Sequence, residues 1–375
     1  MAGTITKKAE NTWQVRIFLG RDGAGKTKHF NKAIHGSRKD AQTFLNAKLR
    51  ERDLGTFVTP TSESVSKFLD RWLKDVAKNK LRKRTFEGYE SLINSHVRKQ
   101  IGTKRLSDIQ PYDIQRLYGG MKTAGYSSKT VRHVHNILSP AFKQAVRWKM
   151  IFQNPCDLSQ LPRLEKKEMR CLTPGEVMIF LEAARGDRYY TAFILAMETG
   201  MTPEEYLGLQ WQDIDFGQKT LSVRRALIVN KGGGFYFEEP KTKQSRRSIP
   251  LSDNAIAALK SHRRGQLEEA MAIRDAYQAG DLVFATRIGT PIQHRNFERR
   301  HFAAIRDKTN LPKIRLYDLR HTTVTLLLSA GENPKVVSER LGHASIVLTL
   351  DTYSHVLPTM QKEATAKIER LMFGT

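Results

Sequence analysis

The sequence predicts a multidomain α+β protein. A small β-sheet with one helix comes first, a helical bundle second, and a mixed, mainly helical domain with a small antiparallel sheet last. Three observations predict it. A chain of 375 residues is too long for one ordinary core. A hydrophobic content of 39% is enough to pack several. The apolar pattern is strand-like and then helical before Phe57, helical from about Ser62 to Arg163, and mixed from Arg170 onward.

Charge narrows the function. The chain carries 63 Lys and Arg against 38 Asp and Glu, a formal net charge of +25. An excess of that size over the whole length favours a polyanionic partner, nucleic acid first, over the alternative of a basic surface that serves only solubility. No long basic amphipathic helix points to a membrane surface, and no apolar run is long enough to span a bilayer. The first residues lack the apolar core of a signal peptide. Cys156 and Cys171 show neither metal-ligand spacing nor a disulfide framework, which fits a reducing compartment. The expectation is a cytoplasmic protein without internal repeats or low-complexity segments.

In the first module, Trp13 to Leu19 alternates as a strand and Lys28 to Ile34 returns as its partner. A helix follows from Arg38 to about Leu54, with Ala41, Phe44, Leu45 and Leu49 on one face. Between the strands, Gly20-Arg21-Asp22-Gly23-Ala24-Gly25-Lys26-Thr27 matches the phosphate-cradling loop of nucleotide-binding proteins letter for letter. That loop works at a helix N-terminus that follows a buried strand. Here the residues after Thr27 are polar and β-compatible, so the segment is expected to be a hairpin turn.

The second module, 62–163, is helical. Val65, Phe68, Leu69, Trp72 and Leu73 form an apolar face, as do Phe86, Tyr89, Leu92 and Ile93 in a helix from Thr85 to His96. A third helix is expected around Pro111 to Tyr118. Ser127 to Thr130 opens a fourth, with Val131, Val134, Ile137, Leu138, Ala141, Phe142 and Val146 as its stripe. The aromatics sit at core spacing and are assigned to packing. Lys129, Arg132, Lys143 and Arg147 fall on the exposed side, where they suit phosphate contacts or serve simply as solvated charges.

In the third module, 170–375, Thr173-Pro174 reads as a cap and first helical residue, and Gly200 as the stop of a helix carrying Tyr190, Phe193, Ile194 and Met197 inward. Thr202-Pro203-Glu204-Glu205 reads as a capping box. Leu221 to Val223, Leu227 to Val229, Phe235 to Phe237 and Ser248 to Leu251 read as strands. The basic segment from Pro240 to Arg247 is expected as an exposed hairpin tip, with Lys243, Arg246 and Arg247 as further DNA contacts. Helices resume after Ser252. The stretch from Leu316 to His355 breaks before Pro334 and again at Gly342, and Pro358 to Thr375 reads as an amphipathic tail helix.

Taken together, Gly200-Met201 with Glu205 and Leu209-Gln210-Trp211, then Lys241-Thr242, Arg320-His321-Thr322, Leu341-Gly342-His343 and Tyr353-Ser354-His355 resemble the tyrosine recombinases. Within them the chain is most similar to the integrases of phages and conjugative transposons that carry an extra N-terminal arm-binding module. The resemblance covers almost the whole chain. It implies an arm-type DNA-binding module at 1–57, a core-binding domain at 62–163 and a catalytic domain at 170–375. It also implies DNA cleavage by a tyrosine hydroxyl, leaving a 3′-phosphotyrosyl bond that retains the phosphodiester energy, with no ATP, metal or other cofactor.

By position, Tyr353 matches the nucleophile and Arg320 one of two arginines that brace the phosphate as charge builds on it. Lys241 matches the acid for the leaving 5′ oxygen, His343 a hydrogen-bond donor to the phosphate, and Glu205 a supporting carboxylate. Taken singly, Tyr353 reads as a core aromatic, His343 as a cap and Arg320 as a surface ion-pair partner. Two positions depart from the family pattern. Tyr317 stands where a His is usual, and a phenol still donates one hydrogen bond there. Thr202 stands where the first arginine is expected, and a hydroxyl cannot replace a guanidinium fork. The resemblance further implies double-stranded DNA with core and arm-type sites, a homotetramer on DNA joined by the tail, a DNA-bending accessory protein and a nucleoid-associated location. The rival reading is a DNA-binding protein of the same fold that does not cleave.

Overall fold

The computed structural model describes residues 3–353 and 357–374, apart from 22, 24, 55–56, 59–60, 166–168, 231–233, 241–242 and 279. Its contacts divide the chain into two units, Met1–Lys166 and Lys167–Thr375.

The first unit begins with an antiparallel sheet of three strands, β1 (Gly3–Ala9), β2 (Thr12–Arg21) and β3 (Thr27–His35), in that order. β2 and β3 are the two strands expected from the sequence; β1 is additional. On β2 the alternation turns Val15 and Ile17 inward, both fully buried, against Ala41 and Leu45 of the Arg38–Asp53 helix. Ser37 and Asp40 cap that helix reciprocally. The opposite face carries Arg16 paired in register with Thr4 and Asn31, and beside it Gln14 with Thr6 and Ala33. Gly20 to Thr27 links β2 to β3, and Thr27 opens a strand rather than a helix. No helix begins at Thr27, where a phosphate-cradling loop would need one.

A separate core fills the rest of this unit. Its main helices are Val65–Trp72, Lys83–Leu92, Pro111–Thr123 and Ser128–Arg147. The first two run on through π-helical turns at Leu73–Ala77 and Ile93–Val97. Ser127 accepts from the Thr130 N–H at 3.1 Å, the cap expected for the fourth helix. Its stripe of Val131, Val134, Leu138 and Phe142 is fully buried, with Phe142 stacked on Phe68 at 6.3 Å. Burial of each such side chain contributes about 1.5–3 kcal/mol.

The second unit packs the Pro174–Ala184, Tyr190–Thr199 and Asp253–Ile273 helices around Phe180, Phe193, Leu221, Ile249 and Phe297. Thr173 caps the first of these helices as expected, and Glu176 completes a capping box with it. The strands differ from the sequence reading. A short β4 (Ile214–Asp215) was not foreseen, and the strands form two sheets. One is β4, β5 (Thr220–Val223) and β8 (Arg247–Pro250); the other is the hairpin of β6 (Ala226–Val229) and β7 (Phe235–Glu238). The segment from Pro240 to Arg247 is therefore not a hairpin tip but a crossover between sheets. Four-residue strands carry too little pattern to declare their partners, which is why the sequence suggested the simpler connection.

The last part of the unit is a run of helices: Asp318–Ser329, Pro334–Leu341, Ile346–Tyr353 and Leu357–Phe373. Val324, Leu328, Val337, Leu341 and Tyr353 make a small cluster of their own.

Candidate active site

Three local structures bring the motif residues together in the second unit. The Tyr190–Thr199 helix ends at Gly200, left-handed at φ +67°, with its N–H on Ala196 O at 3.2 Å. The positive φ favours glycine here, and a Cβ would come within 2.8 Å of Leu341 Cδ2, which would have to give way. Thr202 then starts the next helix, Pro203–Leu207, through the capping box. Its Oγ1 accepts from Glu205 N at 3.4 Å, and its own N–H donates to Glu205 Oε2 at 2.8 Å.

Leu341-Gly342-His343 is a Schellman motif. Gly342 N–H donates to Glu339 O at 2.9 Å and His343 N–H to Ser338 O at 3.0 Å. Gly342 has φ +70°, and a Cβ there would meet Ser245 Cα of the crossover at 3.0 Å. His343 is thus aimed by the end of the Pro334–Leu341 helix.

Arg320, 6% exposed, joins these pieces. Its Nη1 donates to Gly200 O at 2.6 Å and its Nη2 to Leu341 O at 2.8 Å, so it staples the ends of two helices. Glu205 lies 4.0 Å from Arg320 and forms a two-pronged ion pair with Arg247, at 2.9 and 3.1 Å. Burial opposes the Glu205 charge, but the Arg247 hydrogen bonds and charge, reinforced by Arg320, hold the carboxyl below its usual range.

Arg247 was expected as an exposed DNA contact, and the structure corrects this. Its side chain is only 6% exposed, and it also donates to Arg340 O at 2.5 Å and Ser245 O at 3.1 Å. The signal was present in β8: Arg247 stands two residues before buried Ile249 and so shares its inward face. Arg246 does point outward and pairs with Glu239 at 2.6 Å.

His343 Nδ1 is within 2.7 Å of Thr349 Oγ1, a fully buried hydroxyl that sequence reasoning missed. With Nδ1 accepting from that hydroxyl, Nε2 carries the proton available to a ligand. Burial, aided by the Arg320 and Arg247 charges, lowers the His343 pKa to about 4, so the ring is a neutral donor at pH 7.

Tyr353 is 2% exposed, as buried as a core aromatic. Its hydroxyl is hydrogen-bonded to Nδ1 of His321, a motif residue to which the sequence assigned no role. Burial pushes the phenol pKa up, and the nearby Arg320 offsets this only in part. Tyr317, 42% exposed, packs its ring edge-on against His321 with centroids 5.3 Å apart.

The structure therefore gathers Arg320, His343, Tyr353, Glu205, Tyr317 and Thr202 in one unit, and adds Arg247 and His321. Lys241 lies outside the described residues, as does the side chain of Lys243. In the first unit Lys129, Lys143 and Arg147 are exposed along the Ser128–Arg147 helix, while Arg132 Nε donates to Pro162 O at 3.0 Å. Among the described residues no three His, Cys, Asp or Glu side chains converge as metal ligands, and no helix is long and apolar enough to cross a membrane.

Comparison with known proteins identifies the family. Residues 170–360 match the phage integrase family and residues 64–121 its N-terminal SAM-like domain. A XerC-like tyrosine recombinase of Caldanaerobacter subterraneus subsp. tengcongensis is 31% identical over 97% of both chains. The ICEBs1 integrase of Bacillus subtilis is 29% identical over 98% of this chain and 99% of its own. Among solved structures, the Tn1549 transposon integrase in complex with transposon right-end DNA superposes with a TM-score of 0.69 at 25% identity, covering 82% of this chain and 99% of that one. A lambda integrase dimer bound to a core site shares the fold, with a TM-score of 0.60 at 19% identity over 93% of this chain and 94% of that one. With the family model matching residues 170–360 and a tyrosine recombinase 31% identical over nearly the whole length, the chain belongs to the phage integrase family of tyrosine recombinases.

Proposed function

We propose that the protein is a site-specific DNA recombinase that cuts and rejoins DNA through a 3′-phosphotyrosyl link to Tyr353, integrating or excising a mobile element. The observation that carries this reading is the stapling of Gly200 and Leu341 by Arg320, with His343 and Tyr353 beside it. In this mechanism Tyr353 attacks the scissile phosphate. Arg320 and His343 stabilise the negative charge that builds on the phosphate oxygens, and Lys241 protonates the departing 5′ oxygen. Glu205 and Arg247 keep Arg320 in place, and Tyr317 walls the site where a His is usual in the family.

Thr202 leaves the site one guanidinium short. Arg247 does not supply it, being committed to Glu205 and two carbonyls, and Arg246 points outward. Cleavage is therefore weak while DNA binding is intact.

The arm-type module at 1–57 presents Arg16, Asn31 and Gln14 on its open sheet face, residue types that read base edges. The core-binding domain at 62–163 tracks phosphates with Lys129, Arg132, Lys143 and Arg147, and Lys243 and Arg246 do the same beside the catalytic site at 170–375. A lambda integrase tetramer has been solved on a Holliday junction. This chain acts as a homotetramer too, with its tail helix, whose Leu371, Met372 and Phe373 are exposed, docking on a neighbouring copy. A DNA-bending accessory protein and a nucleoid-associated, cytoplasmic location complete the proposal.

Thr202 also favours a second reading, a DNA-binding regulator of the same fold that does not cleave. A suicide duplex carrying the core site separates the two. A covalent adduct that disappears in Tyr353→Phe supports the recombinase; tight binding without an adduct supports the regulator.

A further inference from the structure

Tyr353 must lose a proton as it attacks, and burial makes its phenol a weaker acid than in water. No arginine near it can take that proton. His343 Nδ1 is engaged by Thr349 at 2.7 Å, and Asp318 is held by Arg315 at 2.7 Å. Cys171, beside the site, is half-buried with its thiol pushed up by burial, which disfavours the thiolate. His321 is different. Its Nδ1 is already hydrogen-bonded to the Tyr353 hydroxyl, and the two rings lie 5.7 Å apart. Tyr317 closes the other side of the imidazole edge-on at 5.3 Å.

Building on the recombinase reading above, we infer that His321 is the general base of DNA cleavage, accepting the Tyr353 phenolic proton on Nδ1. The imidazole then carries its own proton on Nε2. As the Tyr353 Oη–phosphorus bond forms and the phosphorus–O5′ bond breaks, the phenolic proton passes to His321 and O5′ takes one from Lys241. On rejoining, the attacking 5′ hydroxyl returns its proton to Lys241, and His321 gives one back to Tyr353. No other reactant is needed.

The surroundings keep His321 able to act. Burial lowers its pKa; Asp318 opposes this and Arg315 and Arg320 add to it. The groups facing the ring are Tyr317, Asp318 and Arg320 on its own helix, Arg315 just before it, and His343 and Tyr353 from the segments packed against it. The imidazole is thus the free base at neutral pH.

The test uses the full chain and a duplex with a 5′-bridging phosphorothiolate at the core-site cleavage position. Sulfur leaves without an acid, so the contribution of Lys241 drops out and proton removal from Tyr353 is what remains. Single-turnover adduct formation is followed from about pH 5 to 9 in the wild type, His321→Asn and His321→Ala, with DNA binding measured alongside. Asparagine places an acceptor oxygen near the position of Nδ1 but cannot take the proton. We expect unchanged binding, a rate about 10²- to 10⁴-fold lower in His321→Asn at neutral pH, and loss of the acid limb seen in the wild type. A His321→Asn rate and pH profile like the wild type would reduce His321 to a positioning residue and overturn the inference. A faster His321→Ala would also overturn it, because His321 would then be restraining the tyrosine. A wild type that binds the duplex but forms no adduct would remove the recombinase reading itself, and this inference with it.

Discussion

Placing an arginine at Thr202 is the most direct test of the proposal that this site lacks one guanidinium. The structural cost is small. The Thr202 hydroxyl accepts from Glu205 N at 3.4 Å, near the long limit of a hydrogen bond, whereas the reciprocal bond at 2.8 Å uses the backbone N–H and survives any side chain. Pro203 still opens the helix. Thr202→Arg should therefore cost about 0.5–1 kcal/mol, the lower half of the usual capping range, or a fall in Tm of about 1–4 °C for a domain of this size. The catalytic gain is larger. One preorganised donor on a developing charge is worth about 10²–10³ in rate, or about 2.7–4 kcal/mol. The incoming guanidinium also meets Glu205, which lies 4.0 Å from Arg320 and limits repulsion between the two cations. The assay is single-turnover formation of the covalent adduct on a suicide core-site duplex, with binding followed by mobility shift. Thr202→Lys supplies the charge without the fork and should recover only part of the gain. An adduct rate unchanged in Thr202→Arg, with binding intact, would refute the assignment of this position.

The remaining predictions concern the support of the site and the arm module. Arg247→Met leaves Glu205 buried beside Arg320 alone, and breaking such a pair costs about 3–5 kcal/mol. Calorimetry should show a Tm lower by roughly 10 °C or more, largely recovered when Glu205→Leu is added; a change of a degree or two would contradict the pairing. Arg16→Ala should weaken binding to an arm-type duplex by about 1–3 kcal/mol at fixed salt and leave core-site binding unchanged. Equal losses on both duplexes would argue against base reading by that face.

The parts of this fold that were legible in the sequence are those set by near neighbours. Thr173-Pro174-Glu176, Thr202-Pro203-Glu205 and Ser127-Thr130 announce helix starts because the bonds they make span three residues. Gly200 and Gly342 announce helix ends for the same reason. β1 was missed because Ile5 alone gives it an apolar beat; its strand character comes from pairing with β2. The division of the second unit into two sheets was missed because β8 finds β5, rather than β7, only through tertiary packing. Within the site, the motif residues could be placed along the chain, yet their linkage could not. The bond from His321 to Tyr353 crosses 32 positions, and that from Arg247 to Glu205 crosses 42. Arg247 illustrates the difference well. Its basic neighbourhood suggested solvent, while its parity with Ile249 already placed it inside.

The reliance of the site on Arg320 and on the Thr202 cap has a consequence for how such a protein ages. Arg320 holds two helix ends, so its loss damages shape and chemistry at once. Position 202 is the reverse: threonine there closes a helix start, and an arginine can leave without loosening anything. Turnover and folding are thus exposed to mutation at different places. On the reading proposed above, a copy that stops cutting through position 202 would still fold and bind DNA, and would compete for the same sites with a copy that cuts. Loss of the enzyme by that route would yield an antagonist of recombination rather than an unfolded chain.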